Sequence, residues 1–141
     1  MTISSTTVKN SYSGNGTLAT FNYTFKIFAD ADIQVIIRNT AGAETVKTLT
    51  THYTVTGAGS ASGGTIVFTT GNIPSATETV VIRRASPQTQ AIDYIANDPF
   101  PAESHEEGLD RSMMAIQQLQ EEVNRSIKLS RTNTMTSTEF T

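Results

Sequence analysis

Two histidines and a short run of carboxylates are the residues of this chain whose types and spacing could do chemistry. His105-Glu106-Glu107 resembles the start of a zinc-protease helix, where two histidines four residues apart hold the metal and a glutamate acts as base. Position 109 is Leu, and His52 is the only other histidine, so that ligand pair cannot form. His105 then reads as a solvated first-turn residue and His52 as a strand-start residue facing solvent or a turn. Glu103, Glu106, Glu107 and Asp110 could supply the paired carboxylates of a glycan-cleaving enzyme. Such a pair needs an apolar cleft that raises one pKa. Here the four fall at the start of a helix-like segment with no cleft signal beside them, so they read as surface charge compensating the helix dipole. No G-x-S-x-G elbow accompanies the many Ser and Thr residues, and a triad would have only two candidate histidine bases. Gly57–Gly64 lacks the trailing Lys-Ser/Thr of a phosphate loop and runs into a strand-like segment where a helix is required. The expectation is a protein that is not an enzyme and uses no metal or cofactor.

Composition narrows the classes further. At 141 residues the chain has the length of one domain, long enough to bury its own core. It has no cysteine, which rules out disulfides and thiolate metal sites. A net charge of −3 with scattered basic residues predicts no nucleic-acid partner. No apolar run approaches the roughly 20 residues that span a bilayer, so no membrane partner is expected. The Met-Thr-Ile-Ser start carries neither the basic nor the apolar region of a secretory signal. Tryptophan is absent and only 16% of residues are charged, a composition often met in β-structured extracellular or virion proteins.

The elements that would position these residues follow from periodicity. Phe21, Tyr23 and Phe25 alternate along one strand, and Ile33, Val35 and Ile37 along another. Gly42 suits a hairpin turn into Thr45–Leu49, and His52–Thr56 follows as a strand. The Gly57–Gly64 loop leads to a strand over Thr65–Thr69, and Glu78–Arg84 makes another. Some six or seven short strands at roughly ten-residue spacing predict an antiparallel β-sandwich or barrel. Residues 85–101 are an extended, proline-punctuated connector, which Ile92, Tyr94, Ile95 and Phe100 are expected to pin to a surface.

From Pro101 to Arg131 the pattern turns helical. Leu109, Ile116 and Val123 recur every seven residues, with Met113, Leu119 and Ile127 between them, and together they form one stripe. Taken as heptad position a, the first three leave Ser112, Leu119 and Ser126 at d and Met113 and Ile127 at e. Two serines at d weaken a two-stranded seam, and the broad stripe suits three helices or a helix folded back on its own domain. A helix from Ala102 to Leu129 would be about 42 Å long, against about 25–30 Å for the β head, so part of it should protrude. Gly108 near its start costs about 1 kcal/mol against Ala, which suggests a close approach there. The chain thus divides into a β-sandwich head (1–96), a connector and helix (97–131), and a polar tail or tether (132–141).

Three stretches together resemble the amino-terminal domain of tail fibre and tailspike proteins of short-tailed bacteriophages. They are Phe21–Phe25 with Ile33–Arg38, then His52–Gly59 through Gly63-Gly64-Thr65 to Val80–Arg84, and above all Asn97–Arg111 followed by Gln117–Val123. The resemblance spans nearly the whole chain. It implies a mainly β head that anchors to the tail and a trimerising helix that leads toward the fibre shaft. The chain stops at Thr141 without a shaft or receptor-binding domain, so it is expected to be either the anchor part of something longer or an adaptor for another fibre protein.

The combined expectation is a structural virion protein of the phage tail, active in host attachment through the fibre it carries. A β head is followed by a long helix in a trimeric, coiled-coil-like bundle. Its partners are two copies of itself, adaptor- or nozzle-type tail proteins, and a downstream fibre or tailspike. Leu109, Met113, Ile116, Leu119, Val123 and Ile127 would form the trimer interface, and Arg83, Arg84, Tyr94 and Phe100 would dock to the tail. The alternative is a monomeric carbohydrate-binding sandwich with the helix packed on the sheet, using Tyr12, Tyr53 or Tyr94 as sugar platforms.

Overall fold

Strict alternation of apolar side chains builds the head. In the computed structural model, which describes residues 3–97, 99–132 and 134, seven strands and a short 3-10 turn at Asp30–Asp32 precede one α-helix. They are β1 (Lys9–Ser13), β2 (Thr20–Tyr23), β3 (Ile33–Arg38), β4 (Glu44–Val46), β5 (Tyr53–Thr56), β6 (Gly64–Phe68) and β7 (Thr79–Arg84), followed by α1 (Ala102–Arg125). All pairings are antiparallel, in two sheets ordered β1-β7-β3-β4 and β2-β6-β5. Val35 lies opposite Ile82, and Ile37 opposite Val80, in the first sheet. Phe21 and Val55 both lie opposite Ile66 in the second. Their inward faces form one core, to which Phe25 and Ile27 add from the segment after β2. The mainly β head with antiparallel sheets is as the alternation predicts.

The head has two features that periodicity misses. β1 carries the polar sequence Lys-Asn-Ser-Tyr-Ser, so it shows no strand signal, yet it pairs with β7 along its whole length. Its Tyr12 hydroxyl donates to the Asn22 carbonyl at 2.7 Å, tying the two sheets together. The β5–β6 loop depends on glycine at Gly63, where φ is +86° and a Cβ would run into the Tyr23 carbonyl. That packing requires glycine at this position of the loop, a need its sequence alone does not show.

α1 begins at Ala102, as its acidic first turn predicts, but it ends four residues short of Leu129. The Ser126 backbone N–H and hydroxyl both bond the Val123 carbonyl, and Ser126 itself is extended (ψ 158°). A side chain that competes with the backbone in this way favours an end over another turn. The helix is therefore about 36 Å long, and Ile127 lies beyond it. The connector also differs from expectation. Ile92 is partly buried, but Ile95 and Phe100 are 71% and 69% exposed, Phe100 touching the helix through the His105 ring. The polar tail expected over 132–141 lies, apart from Thr132 and Thr134, outside the described residues.

Candidate functional site

The junction between helix and head is made by the polar side of the helix. Lys26, just after β2, donates from Nζ to Asp110 Oδ2 at 2.8 Å, and both side chains are buried. Both Lys26 and Arg111 also lie over the Phe28 ring, at 4.5 and 4.2 Å from its centroid. One turn further along, Met114 is the helix's fully buried apolar side chain. Beside it Arg84, the last residue of β7, donates from Nη2 to Gln117 Oε1 at 2.6 Å and from Nη1 to the Lys26 carbonyl at 3.3 Å. Gln118 reads the backbone of Ser86 at two points, accepting from its N–H at 2.9 Å and donating to its carbonyl at 3.3 Å. Glu121 bonds Lys9 of β1 at 2.9 Å, and Glu122 lies 3.6 Å from Arg83.

The electrostatics follow from burial and pairing. Hydrogen bonding from Arg125, and then from Lys9, holds the Glu121 carboxyl below the usual carboxylate range. Burial pushes the Arg84 guanidinium down to about 10, with the Asp32 charge opposing the shift. Asp32 is itself held by the backbone N–H groups of Phe28 and Ala29. The buried Nε of Arg84 has no hydrogen-bond partner among the described residues.

These contacts choose which face of α1 meets the head. With Leu109, Ile116 and Val123 at position a, the head-bound residues Asp110, Gln117, Gln118, Met114 and Glu121 occupy b, c and f, the outward positions of a helical bundle. The apolar stripe is left in solvent. Leu109 is 61% exposed, Met113 46%, Ile116 57%, Leu119 50% and Val123 46%. Those five share the open face of one helix, whereas Ile127, 99% exposed, follows the helix end and is not aligned with them by helical geometry.

The expected tail-docking residues are not brought together. Arg84 is buried at the helix junction and unavailable to a partner protein, because its guanidinium is used inside the chain. Arg83 faces Glu122. Tyr94 and Phe100 remain exposed and flank His105, with ring centroids 6.5 and 5.1 Å from it. His105 is an exposed residue of the first helical turn, as expected, with the two connector rings beside it. Tyr53, offered as a sugar platform, is a core residue whose hydroxyl faces the Ile33 carbonyl, and Tyr12 spends its hydroxyl between the sheets. Asp110, read from sequence as surface charge, is buried against Lys26. Among the described residues, no group of three or more His, Asp or Glu side chains is placed to hold a metal ion. Lys26, Asp110, Gln117 and Gln118 were not legible as a junction. The signal that could have found it is Met114, an apolar residue alone on the charged side of the helix.

Two facing sheets, with a helix held by its polar side and presenting its apolar side, define a structural module built around that helix. Over 120 residues, 84% of its length, the chain is 38% identical to a tail spike protein of Salmonella phage epsilon15. It is a phage tail protein of the tail-spike kind, and it resides in the tail of the virion. The match spans 11% of that relative's length. No protein-family model matches the chain.

Proposed function

We propose that this chain is a non-enzymatic anchoring module in which the β head attaches to tail proteins and the helices of three copies assemble through their open stripes. The observation that carries this reading is the inverted packing of α1. A helix that serves only its own domain turns its apolar stripe inward, whereas this one turns Asp110, Gln117, Gln118 and Glu121 inward and leaves Leu109, Met113, Ile116, Leu119 and Val123 outside. Burying each of those side chains is worth about 1.5–3 kcal/mol before ordering costs, so five per chain supply ample drive for assembly. The outward end of the helix would then lead toward the shaft of a fibre or tailspike, carried by this chain or by a partner docked to it. Adaptor- or nozzle-type tail proteins are the partners proposed for the head, with the exposed connector at Tyr94, Ile95 and Phe100 as the first surface to probe.

Light scattering of the purified chain tests the assembly. The unaltered chain should have three times its monomer mass at micromolar concentration. The Ile116→Asp/Val123→Asp chain should fall to monomer mass while keeping the β signal of the head. A monomeric unaltered chain, or a mass unmoved by the two aspartates, would overturn the seam.

A further inference from the structure

A groove of about 560 Å³ runs along one flank of the stripe, between the connector and the helix. Ile92 and Tyr94 form one wall, Leu109 and Leu119 the other, and the small residues Gly108 and Ala115 lie along it. The fit at Gly108 is close without being crowded: a Cβ there would lie 3.5 Å from Ile92 Cδ1 and 3.7 Å from the Tyr94 hydroxyl. Leu109 and Leu119 belong both to this groove and to the open stripe, so the two surfaces are continuous.

We propose that this groove receives Met113 of a second copy of the chain, so that the connector of one protomer closes around the helix of the next. The inference rests on the assembly reading above and adds which side chain enters which site. With Leu109, Ile116 and Val123 at a, Gly108 and Ala115 are g positions and Met113 and Gln120 are e positions. Across a parallel seam each g position meets the neighbour's e position five residues further along, which sets Gly108 against Met113 and Ala115 against Gln120. The sizes are complementary, the smallest residues on one flank opposite two long, unbranched side chains on the other. Met113 is 46% exposed in the single chain, and a methionine adapts its shape to an irregular apolar slot. The arrangement also fixes a direction around the ring, because every chain has its groove on one flank and its Met113 on the other.

Disulfide trapping tests this, since the chain has no cysteine of its own. The Ile92→Cys/Met113→Cys chain is oxidised at micromolar concentration and run on a denaturing, non-reducing gel, with light scattering of the reduced sample alongside. Within one chain the two thiols cannot meet. Met113 lies about 140° around the helix from Gly108, where Ile92 packs, and a disulfide needs Cα atoms within about 7 Å. The expected result is a covalent trimer from the double variant and monomer from each single variant. A trimer by light scattering with no covalent species overturns the groove assignment and leaves the seam standing. A monomer by light scattering overturns both. If Ile92 is needed for folding, the Ala91→Cys/Met113→Cys chain gives the same readout from an exposed groove residue.

Discussion

Replacing Asp110 by Ala should undock the helix from the head and leave the head folded. At 2.8 Å and an effective dielectric near 20, the attraction between Lys26 and Asp110 is about 6 kcal/mol before desolvation is counted. Removing one partner of a buried pair typically costs about 3–5 kcal/mol, because the other charge stays behind in a poor environment. Both side chains here are less than a tenth exposed, so solvent screens little of this attraction. The head's core of Val35, Ile66, Val80 and Ile82 does not include either residue, so the cost should fall on docking alone. Met114, fully buried between helix and head, reports it. The single thiol of a Met114→Cys chain reacts with a maleimide only when the helix lifts, and its labelling rate follows the open population when closing is fast. Adding Asp110→Ala should raise that rate by about two to three and a half orders of magnitude, the range corresponding to about 3–5 kcal/mol at 1.4 kcal/mol per decade. Adding the exchanged pair Lys26→Asp/Asp110→Lys in place of Asp110→Ala should restore much of the protection. An increase below tenfold would refute the claim that this ion pair holds the junction.

The other predictions concern pH and the head's turns. Glu121 has its pKa lowered by Arg125 and Lys9, so its contribution to docking is present above the ordinary carboxylate value of about 4.3 and is lost as pH falls through the lowered one. Protection of the last helical turns against hydrogen exchange, taken relative to the intrinsic rate at each pH, should therefore fall on acidification, and Glu121→Gln should remove that part of the acid dependence; an unchanged profile would count against the pairing. Gly63→Ala must bear both a left-handed backbone and a clash with the Tyr23 carbonyl, so it should cost clearly more than the 1–2 kcal/mol or so of backbone strain alone. Gly59→Ala has a similar φ of +86° with nothing within 4 Å, and should cost only that strain. Equal thermal midpoints for the two variants would show that the close approach at Gly63 is not limiting.

The parts of the fold legible in the sequence are those where one physical signal dominates. Strict alternation at Phe21–Phe25 and Ile33–Ile37 corresponds to core-facing side chains, and all six named apolar residues are buried. The acidic first turn marks the helix start at Ala102. What escaped depends on pairing across distance or on a side chain competing with the backbone. β1 is a strand because β7 offers it an edge, not because its own residues favour one. The helix end is set by Ser126 bonding back to Val123, where periodicity alone runs on to Leu129. Asp110 could be seen to lie near the start of the helix, but nothing local shows that Lys26, 84 residues earlier, comes to meet it. Arg84 was read as a contact for another protein, and it is consumed by the chain's own helix for the same reason.

The polar junction and the open stripe bear on each other. Buried ion pairs are weak contributors to net stability, and well-packed apolar residues in their place often serve as well or better. Lys26–Asp110 and the buried Arg84 are therefore not an economical way to hold a helix down. They are an effective way to set its rotation. Turning α1 by one residue, about 100°, would bring Leu109 or Arg111 to Lys26 and carry Gln118 away from both polar groups of Ser86. In an isolated chain the competing arrangement, with Leu109, Ile116 and Val123 rolled onto the head, would gain apolar burial that this one forgoes. The side chains at the junction oppose that roll. A helix held against its own hydrophobic preference makes physical sense when the stripe is satisfied elsewhere, and in the proposed assembly that free surface is where copies of this chain would meet.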